Sequence, residues 1–140
     1  MPTSSNHALL DTSAAVAFLV ADHKHHDATF EALAQRQLGL AGHAAFETFS
    51  VLTRLPPPAR RTPPAVARLL ATNFPHTRFL SADRAAALLI SLPGNGLAGG
   101  AVYDALVGAA ALEHELTLVT RDKRALDTYR TLDIAVELLQ

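Results

Sequence analysis

The sequence predicts one α/β domain over residues 1–140, with a mostly parallel central sheet between two layers of helices. Short apolar segments of strand length alternate with longer segments of helical spacing, which is the pattern of parallel strands joined by crossover helices. The length of 140 residues suits a single compact domain. A hydrophobic content of 49% is enough for a core, and it excludes a wholly disordered chain.

The first half of the chain predicts two strands and three helices. An apolar run predicts a first strand that ends at Asp11, and Phe30 and Leu33 have helical spacing in a later segment. Three consecutive prolines, 56–58, end the third helix because proline lacks a backbone donor. The predicted elements are a strand at 7–10, a helix at 12–20, a helix at 27–37, a strand at 38–41 and a helix from 43 through 52.

The second half predicts four helices and three strands. Pro63 and Pro64 suit the first turn of a helix, and Ser81 suits the start of the next one. Glycine and proline between residues 93 and 100 predict a flexible loop. The predicted elements are a helix at 63–73, a strand at 77–80, a helix at 81–91, a helix at 101–115, a strand at 116–120, a helix at 123–129 and a strand at 134–138.

Two features of composition bear on the cellular compartment. The chain has no cysteine, which excludes disulfides and thiolate zinc sites and fits a cytoplasmic protein. The apolar run at 8–20 is interrupted by Asp11 and is shorter than the ~18 residues of a membrane span. We therefore expect neither a signal peptide nor a membrane anchor.

Four carboxylates stand in otherwise apolar segments or at strand ends: Asp11, Glu47, Asp104 and Asp122. A buried ionised acid is costly unless it is paired or binds a cation, and the chain has no four basic residues comparably placed to pair with them. Because the carboxyl ends of parallel strands meet at one edge of a sheet, the acids are expected to converge there. The pattern predicts a site for a hard divalent ion, Mg²⁺ or Mn²⁺.

Each acid also has a structural explanation. Asp11 and Asp122 each precede a predicted helix and suit its N-cap. Asp104 is harder to explain in this way, because it is the only charged residue between 101 and 112, an otherwise apolar stretch of the predicted helix. Glu47 lies among Phe46, Phe49 and other apolar residues, and it too favours a site role.

Other polar residues give weaker signals. Thr12 and Thr120 adjoin the acids and suit hydroxyl groups that orient ligating carboxylates, although such residues are also common in turns. His23, His25 and His26 cluster in a polar turn, a pattern more typical of a solvated surface than of metal ligands.

The charge distribution is uneven although the formal net charge is only −1. Residues 48–82 contain five arginines and no Asp or Glu. Four of them, Arg54, Arg60, Arg61 and Arg68, are candidate contacts to the phosphates of a nucleic acid, as a basic rim beside an acidic centre. A solvated arginine-rich face is the alternative interpretation.

At the four acids the chain resembles the PIN-domain nucleases, and within them the VapC-type toxins of type II toxin–antitoxin pairs. The resemblance extends over essentially all 140 residues and matches in order and spacing. It is carried by the segments Leu-Leu-Asp11-Thr-Ser-Ala, Phe-Glu47-Thr-Phe-Ser-Val-Leu-Thr-Arg-Leu, Tyr-Asp104-Ala-Leu-Val and Thr-Arg-Asp122.

The resemblance implies a single PIN-like domain of three layers and a Mg²⁺- or Mn²⁺-dependent endoribonuclease. It makes Asp11, Glu47, Asp104 and Asp122 the acidic catalytic residues, with Asp11 and Asp104 as the main metal ligands and Thr12 and Thr120 in support. It further implies an RNA substrate, a homodimer and inhibition by a cognate VapB-type antitoxin. The proline break and the arginine-rich stretch lie outside the shared pattern and leave substrate choice open.

Three other classes compete with this interpretation. A receiver domain would have paired acids after the first strand and a lone Asp after a central one, whereas no acid lies between Glu47 and Asp83. A haloacid-dehalogenase-type phosphatase would have an Asp where Ser13 stands. A catalytically silent RNA-binding module of the same fold would not need all four acids.

Overall fold

The computed structural model describes residues 6–140, and within them four parallel strands form one sheet in the order β2-β1-β3-β4. The strands are β1 (His7–Leu10), β2 (Gln37–Leu40), β3 (Leu118–Thr120) and β4 (Val136–Leu138). The helices are α1 (Thr12–Leu19), α2 (His26–Leu33), α3 (His43–Thr53), α4 (Pro63–Asn73), α5 (Ala82–Ser91), α6 (Ala101–Glu113) and α7 (Leu126–Thr131). The predicted α/β class with a parallel sheet is confirmed.

Each face of the sheet has its own buried core, because successive strand residues face opposite sides. On β1, Leu10 packs in one cluster with Phe18 of α1 and Leu33 of α2. Leu9 packs in the other cluster, which includes Val107 of α6 and residues of α3 and α7. The helices therefore cover both faces, and the predicted three-layer arrangement is confirmed.

The parallel topology determines where the strand-end acids lie. Strands β1 and β3 are neighbours and run in the same direction, with Leu10 paired to Val119. Asp11 follows β1 directly, and Asp122 comes two residues after the end of β3. Both acids are therefore at the same carboxyl edge of the sheet, where sites of open α/β sheets are found.

The second helix is shorter than the sequence predicted. It ends at Leu33 rather than at residue 37, and β2 begins at Gln37. Gln37 pairs in parallel with His7, and Arg36 forms an ion pair with Glu137 of β4 at 2.9 Å. These long-range contacts extend the backbone at residues whose local sequence favours a helix.

The predicted strand at 77–80 is wrong. The N–H groups of His76 and Arg78 donate to carbonyls of β2, but only an isolated bridge between Ala41 and Arg78 results. The Leu40 N–H donates to the Thr77 hydroxyl at 2.9 Å instead of to a backbone carbonyl. This side-chain acceptor interrupts the ladder, so the segment runs beside β2 without becoming a fifth strand of the described sheet.

The last elements differ from prediction mainly at their ends. Strand β3 begins at Leu118 rather than at residue 116, and β4 at Val136 rather than at residue 134. The helix predicted at 123–129 is a short 3₁₀ turn, Lys123–Ala125, followed by α7. Helix α6 ends at Glu113, and Glu115 follows with a positive φ of 55° that helical backbone does not have.

The helices of the described residues are short, and the longest, α6, has 13 residues. None of the helices in residues 6–140 has the length and apolarity needed to cross a membrane. The apolar run at 8–20 is divided between β1 and α1, with Asp11 at the junction.

Gly39 of β2 provides a test of the packing between β2 and the segment at 76–78. A Cβ atom at Gly39 would overlap the backbone carbonyl group of His76. We expect Gly39→Ala to lower the free energy of unfolding by about 3 kcal/mol, at the upper end of the usual cost of overpacking, because backbone atoms must move. A urea titration measures this change.

Gly100→Ala is the control, since a Cβ there meets nothing within 4 Å and its φ is −62°. This control is expected to keep wild-type stability. Equal stability of the Gly39→Ala and Gly100→Ala proteins would contradict the close approach at Gly39.

Candidate active site

The four predicted acids come together at one cavity of about 130 Å³ at the carboxyl edge of the sheet. Asp11 follows β1 and Asp122 lies after β3, whereas Glu47 belongs to α3 and Asp104 to α6. Thr12, Ser13, Val107 and Tyr129 line the rest of the cavity. Three of these neighbours carry hydroxyl groups, so the cavity is lined mainly by oxygen atoms, the donors that Mg²⁺ and Mn²⁺ prefer.

Asp11 is buried and held in one orientation by the protein. Its Oδ1 accepts hydrogen bonds from the Ser13 hydroxyl at 2.6 Å and from the Ala14 N–H at 3.1 Å, and its Oδ2 accepts one from the Tyr129 hydroxyl at 3.0 Å. Burial raises the pKa of Asp11, and these hydrogen bonds oppose the rise because they stabilise the ionised form. The bond from Ala14 also makes Asp11 the N-cap of α1. Capping and a site role therefore coexist in this residue.

Tyr129 holds the Asp11 carboxylate as a permanent donor. The phenol is buried against it, and both burial and the adjacent negative charge raise the pKa of Tyr129 far above its ordinary range. The hydroxyl therefore remains protonated. Sequence reasoning missed this residue, because a tyrosine in a short helix more than a hundred positions away carries no local signal. The one available hint was a tyrosine near the chain end, since tyrosine hydroxyls usually have a hydrogen-bond partner when they are buried.

Glu47 is half-buried in α3 and is oriented by a hydroxyl from α1. The Thr12 hydroxyl donates to Glu47 Oε1 at 3.0 Å, which links the residues that follow β1 to the third helix. Thr48, the next residue of α3, is buried, so the helix is fixed in register. This contact places Thr12 beside an acid other than the one it follows in sequence.

Asp104 is an acid whose ionised form is disfavoured by its surroundings in the cavity. Its side chain is partly buried, and within residues 6–140 no group donates a hydrogen bond to it. Burial, followed by the charges of the other three acids, raises its pKa to about 6, with a small opposing effect of Arg124. The four carboxylates are therefore close enough to repel one another.

Asp122 has a capping role as well as a place in the cavity. Its Oδ1 accepts from the Arg124 N–H at 2.9 Å and caps the 3₁₀ turn, and Arg124 Nε lies 3.4 Å from the same oxygen. Within residues 6–140, Asp122 is the one of the four acids that forms an ion pair with a basic residue. Thr120 accepts from the Asp122 N–H at 3.0 Å and lies 3.4 Å from the Ser13 hydroxyl, so it joins the two strand ends.

The cavity suits a divalent ion held by few protein ligands. Among residues 6–140 no three His, Cys, Asp or Glu side chains are grouped so that they hold one ion directly. Mg²⁺ usually keeps several waters and binds one or two carboxylates together with substrate phosphates. The hydrogen-bonded Asp11 and the free Asp104 carboxylate fit that binding mode, and the mutual repulsion of the acids favours a cation among them.

The four arginines predicted to contact RNA lie elsewhere. Arg61 and Arg68 line a groove on α4, and none of the four lines the acidic cavity. Arg54 Nε donates to the Ser50 hydroxyl at 3.3 Å, and Arg60 Nε donates to the Leu55 carbonyl at 2.8 Å. The four are exposed side chains, and their contact with RNA stays a prediction.

The raised pKa of Asp104 predicts how the stability of the metal-free protein depends on pH. Its pKa of about 6 lies above the ordinary value of 3.8 for an aspartate, so the folded chain holds this proton more tightly than the unfolded chain. The penalty of ionising Asp104 is therefore full above about pH 6 and disappears as the pH falls towards about 4. We expect Asp104→Asn to raise the melting temperature, in chelator, more at about pH 7 than at about pH 5. If Asp104→Asn raises the melting temperature by the same amount at both pH values, the raised pKa assigned to Asp104 is contradicted.

Comparison with known proteins relates this chain to one protein family. Residues 8–131 match the family model of the PIN domain. Ribonuclease VapC27 of Mycobacterium tuberculosis (strain ATCC 25618 / H37Rv) is 46% identical over 127 residues, which cover 91% of this chain and 93% of that protein. Ribonuclease VapC40 of Mycobacterium tuberculosis (strain CDC 1551 / Oshkosh) is 44% identical over 131 residues, which cover 92% and 96%.

Two solved structures show the same fold. VapBC2 from Rickettsia felis, in a crystal structure with a promoter DNA fragment, superposes with a TM-score of 0.69 at 17% identity, covering 96% of this chain and 99% of that chain. FitAcB from Neisseria gonorrhoeae superposes with a TM-score of 0.62 at 19% identity, covering 92% and 95%. Together with the sequence matches, these similarities exclude the receiver and phosphatase alternatives: the chain belongs to the PIN-domain family, in its VapC-type ribonuclease group.

Proposed function

We propose that this protein is a metal-dependent endoribonuclease, the toxin of a VapBC-type pair, and that its cavity of four acids is the catalytic centre. The observation that carries the proposal is the convergence of Asp11, Glu47, Asp104 and Asp122 on one cavity, where burial and then the charges of the other three acids raise the pKa of Asp104 to about 6. Perturbed acids grouped in a cleft are typical of catalytic sites. The relatives named as ribonucleases give the cavity its substrate class.

The residues divide between binding and orientation. Asp11 and Asp104 are the proposed metal ligands, since one is fixed by hydrogen bonds and the other has free oxygens. A bound Mg²⁺ or Mn²⁺ would supply positive charge at the phosphate and lower the pKa of a bound water. Glu47, oriented by Thr12, and Asp122, oriented by its turn, would accept a proton from the attacking water or hold it in line with the phosphorus.

This arrangement requires no covalent intermediate. The cavity contains carboxylates and hydroxyls, and each hydroxyl of Ser13 and Tyr129 already donates to Asp11, so neither is free as a nucleophile. Attack by water on the phosphorus, with departure of the 3′ oxygen, leaves a 5′-phosphate and a 3′-hydroxyl. Thr120 supports this arrangement through Ser13 and Asp122.

The regulatory partner proposed for this chain is a VapB-type antitoxin. The structural neighbours include a VapBC2 complex and a FitAB complex. An arginine from such a partner would form charge-assisted hydrogen bonds with the four acids and compete with the metal ion. A homodimer is part of the same proposal.

RNA cleavage with and without metal tests the proposed function. Purified protein is incubated with single-stranded RNA in Mn²⁺, in Mg²⁺ and in excess chelator, and the product ends are identified by their sensitivity to phosphatase and to 5′-phosphate-dependent exonuclease. We expect cleavage only with metal and products that carry a 5′-phosphate. Cleavage that persists in chelator, or products with a 2′,3′-cyclic phosphate, would overturn the proposed chemistry.

A further inference from the structure

A second and larger cleft adjoins the acidic cavity. Its volume is about 540 Å³, and Thr12, Ser13 and Asp122 line both spaces. Two segments far apart in sequence form its walls, the turn between α1 and α2 and the segment that follows β3. The cleft therefore borders the acidic cavity.

The cleft is lined by six basic side chains. The six are His23, Lys24, His25, Arg121, Lys123 and Arg124. Within the described residues, Arg124 is the one member of this set that forms an ion pair, with Asp122. Lys24 and Lys123 are exposed, and neither ammonium group has a hydrogen-bond partner in residues 6–140. Like charges gathered in one place repel each other, so the arrangement favours a bound polyanion.

Two of these side chains are held in place by the protein. The His23 Nδ1 accepts from the His25 N–H at 3.0 Å, so the neutral ring carries its proton on Nε2 and offers it as a donor. Arg121 donates through Nη1 to the Thr29 hydroxyl at 3.3 Å, while its Nε is buried without a hydrogen-bond partner. Burial is the main cause that lowers the pKa of His23, and the charges of His25, Arg121 and Lys24 lower it further. Because Arg121 belongs to the opposite wall, the two walls are close enough to influence each other.

We propose that this basic cleft binds the backbone of single-stranded RNA beside the scissile phosphate. The inference rests on the proposed endoribonuclease function and adds the surface that holds the substrate. Phosphate groups that neighbour the scissile phosphate at the four acids would accept hydrogen bonds from Lys24, Lys123 and Arg121. The cleft has a volume of about 540 Å³, within the range of ligand pockets, which is room for part of a single strand. Base-independent phosphate contacts of this kind position the strand and leave sequence choice to other residues.

The salt dependence of RNA binding tests this inference. The variant Lys24→Gln/Lys123→Gln removes two exposed charges that have no described partner, and neither residue belongs to the catalytic centre. Affinity for a fluorescently labelled single-stranded RNA is measured by anisotropy at several salt concentrations, in chelator so that the RNA stays intact. We expect weaker binding and a slope of log K against log salt that is less negative by about 1.4, about 0.7 for each lost phosphate contact.

Matched variants separate the cleft from bulk charge. Arg84→Gln/Arg130→Gln removes two exposed charges on α5 and α7, outside the basic cleft, and is expected to keep the wild-type slope. Arg60→Gln/Arg68→Gln tests the arginine-rich segment in the same assay. A wild-type slope in the Lys24→Gln/Lys123→Gln protein would overturn the inference, as would an equal loss in the Arg84→Gln/Arg130→Gln protein.

The failure of this inference is distinguishable from failure of the proposed function. Wild-type protein that does not cleave RNA in Mn²⁺ would refute the function whatever the slopes are. Wild-type cleavage together with an unchanged slope would refute only the basic cleft.

Site-directed crosslinking gives an independent measurement. The chain has no cysteine, so Lys24→Cys introduces a unique thiol that takes a benzophenone maleimide. Illumination is expected to crosslink RNA to this protein and not to an Arg130→Cys protein that carries the same label. Absence of a crosslink at position 24, in a protein that still binds RNA, would count against the cleft.

Discussion

Asp104→Asn and Asp11→Asn are each expected to lower the rate of RNA cleavage by at least ~100-fold, which corresponds to about 2.7 kcal/mol of transition-state stabilisation. Both residues line the cavity of four acids, and each substitution removes one negative charge that a divalent ion needs. Asparagine is the informative replacement, because it nearly preserves shape and caps helices as well as aspartate does. The N-cap of α1 at Asp11 is therefore retained while the proposed metal ligand is weakened.

The metal-free variants should remain folded and become more stable than wild type. Asp11 and Asp104 have raised pKa values, so their ionised forms are unfavourable in the folded protein at neutral pH. A thermal melt in chelator measures the stability, and a cleavage assay in Mn²⁺ measures the activity. Loss of activity together with an increased melting temperature would separate a functional acid from one needed for folding.

Asp127→Asn is the matched control. Asp127 is an exposed acid in the first turn of α7 and does not line the cavity. The control is expected to cleave RNA at the wild-type rate. Wild-type activity in the Asp104→Asn protein, from a preparation free of contaminating nuclease, would remove Asp104 from the catalytic centre.

The second large effect is expected from divalent ions on thermal stability. Because an ion that binds only the folded state stabilises it by mass action, Mn²⁺ at about 100 times its dissociation constant should add about 2.7 kcal/mol. The melting temperature should then rise by roughly 2–4 °C for each kcal/mol. Differential scanning fluorimetry in Mn²⁺, Mg²⁺ and chelator measures the shift without any RNA present.

Two double variants with the same net charge show where the ion binds. The shift should be lost in Asp11→Asn/Asp104→Asn and retained in Asp127→Asn/Asp133→Asn, whose changes lie outside the cavity. Asp133 has a positive φ of 59°, which asparagine also tolerates, so the control should fold. An equal shift in both double variants would mean that the ions bind elsewhere on the protein.

Local sequence patterns were enough to predict the architecture and the four acids. The continuous apolar run at 8–10 is typical of a strand that is buried on both faces, and proline at 56–58 ends a helix whatever surrounds it. Asp104 is recognisable because it interrupts an apolar helix, where an ionised group needs a special reason. Such features depend on a few neighbouring residues, so they can be predicted without knowledge of tertiary contacts.

The ends of several elements could not be predicted in this way. Helix α2 stops at Leu33 because Gln37 pairs with β1 and Arg36 pairs with β4, and neither partner is near in sequence. The segment at 77–80 has strand-like composition, but the Thr77 hydroxyl accepts the hydrogen bond of the Leu40 N–H in β2. In both places a contact across the fold outweighs the local preference of the chain.

The sequence alone therefore determined the fold class and which residues carry the charge of the site, because hydrophobic period and isolated acids are local properties. Only the tertiary structure decided how those acids are held, since Tyr129 reaches Asp11 across 118 positions and Thr12 reaches Glu47 across 35. It also brought residues 23–25 and 121–124 together as one basic cleft beside the acids. Hydrogen bonds and charge interactions act over a few ångströms in space, and folding determines which distant residues come within that range.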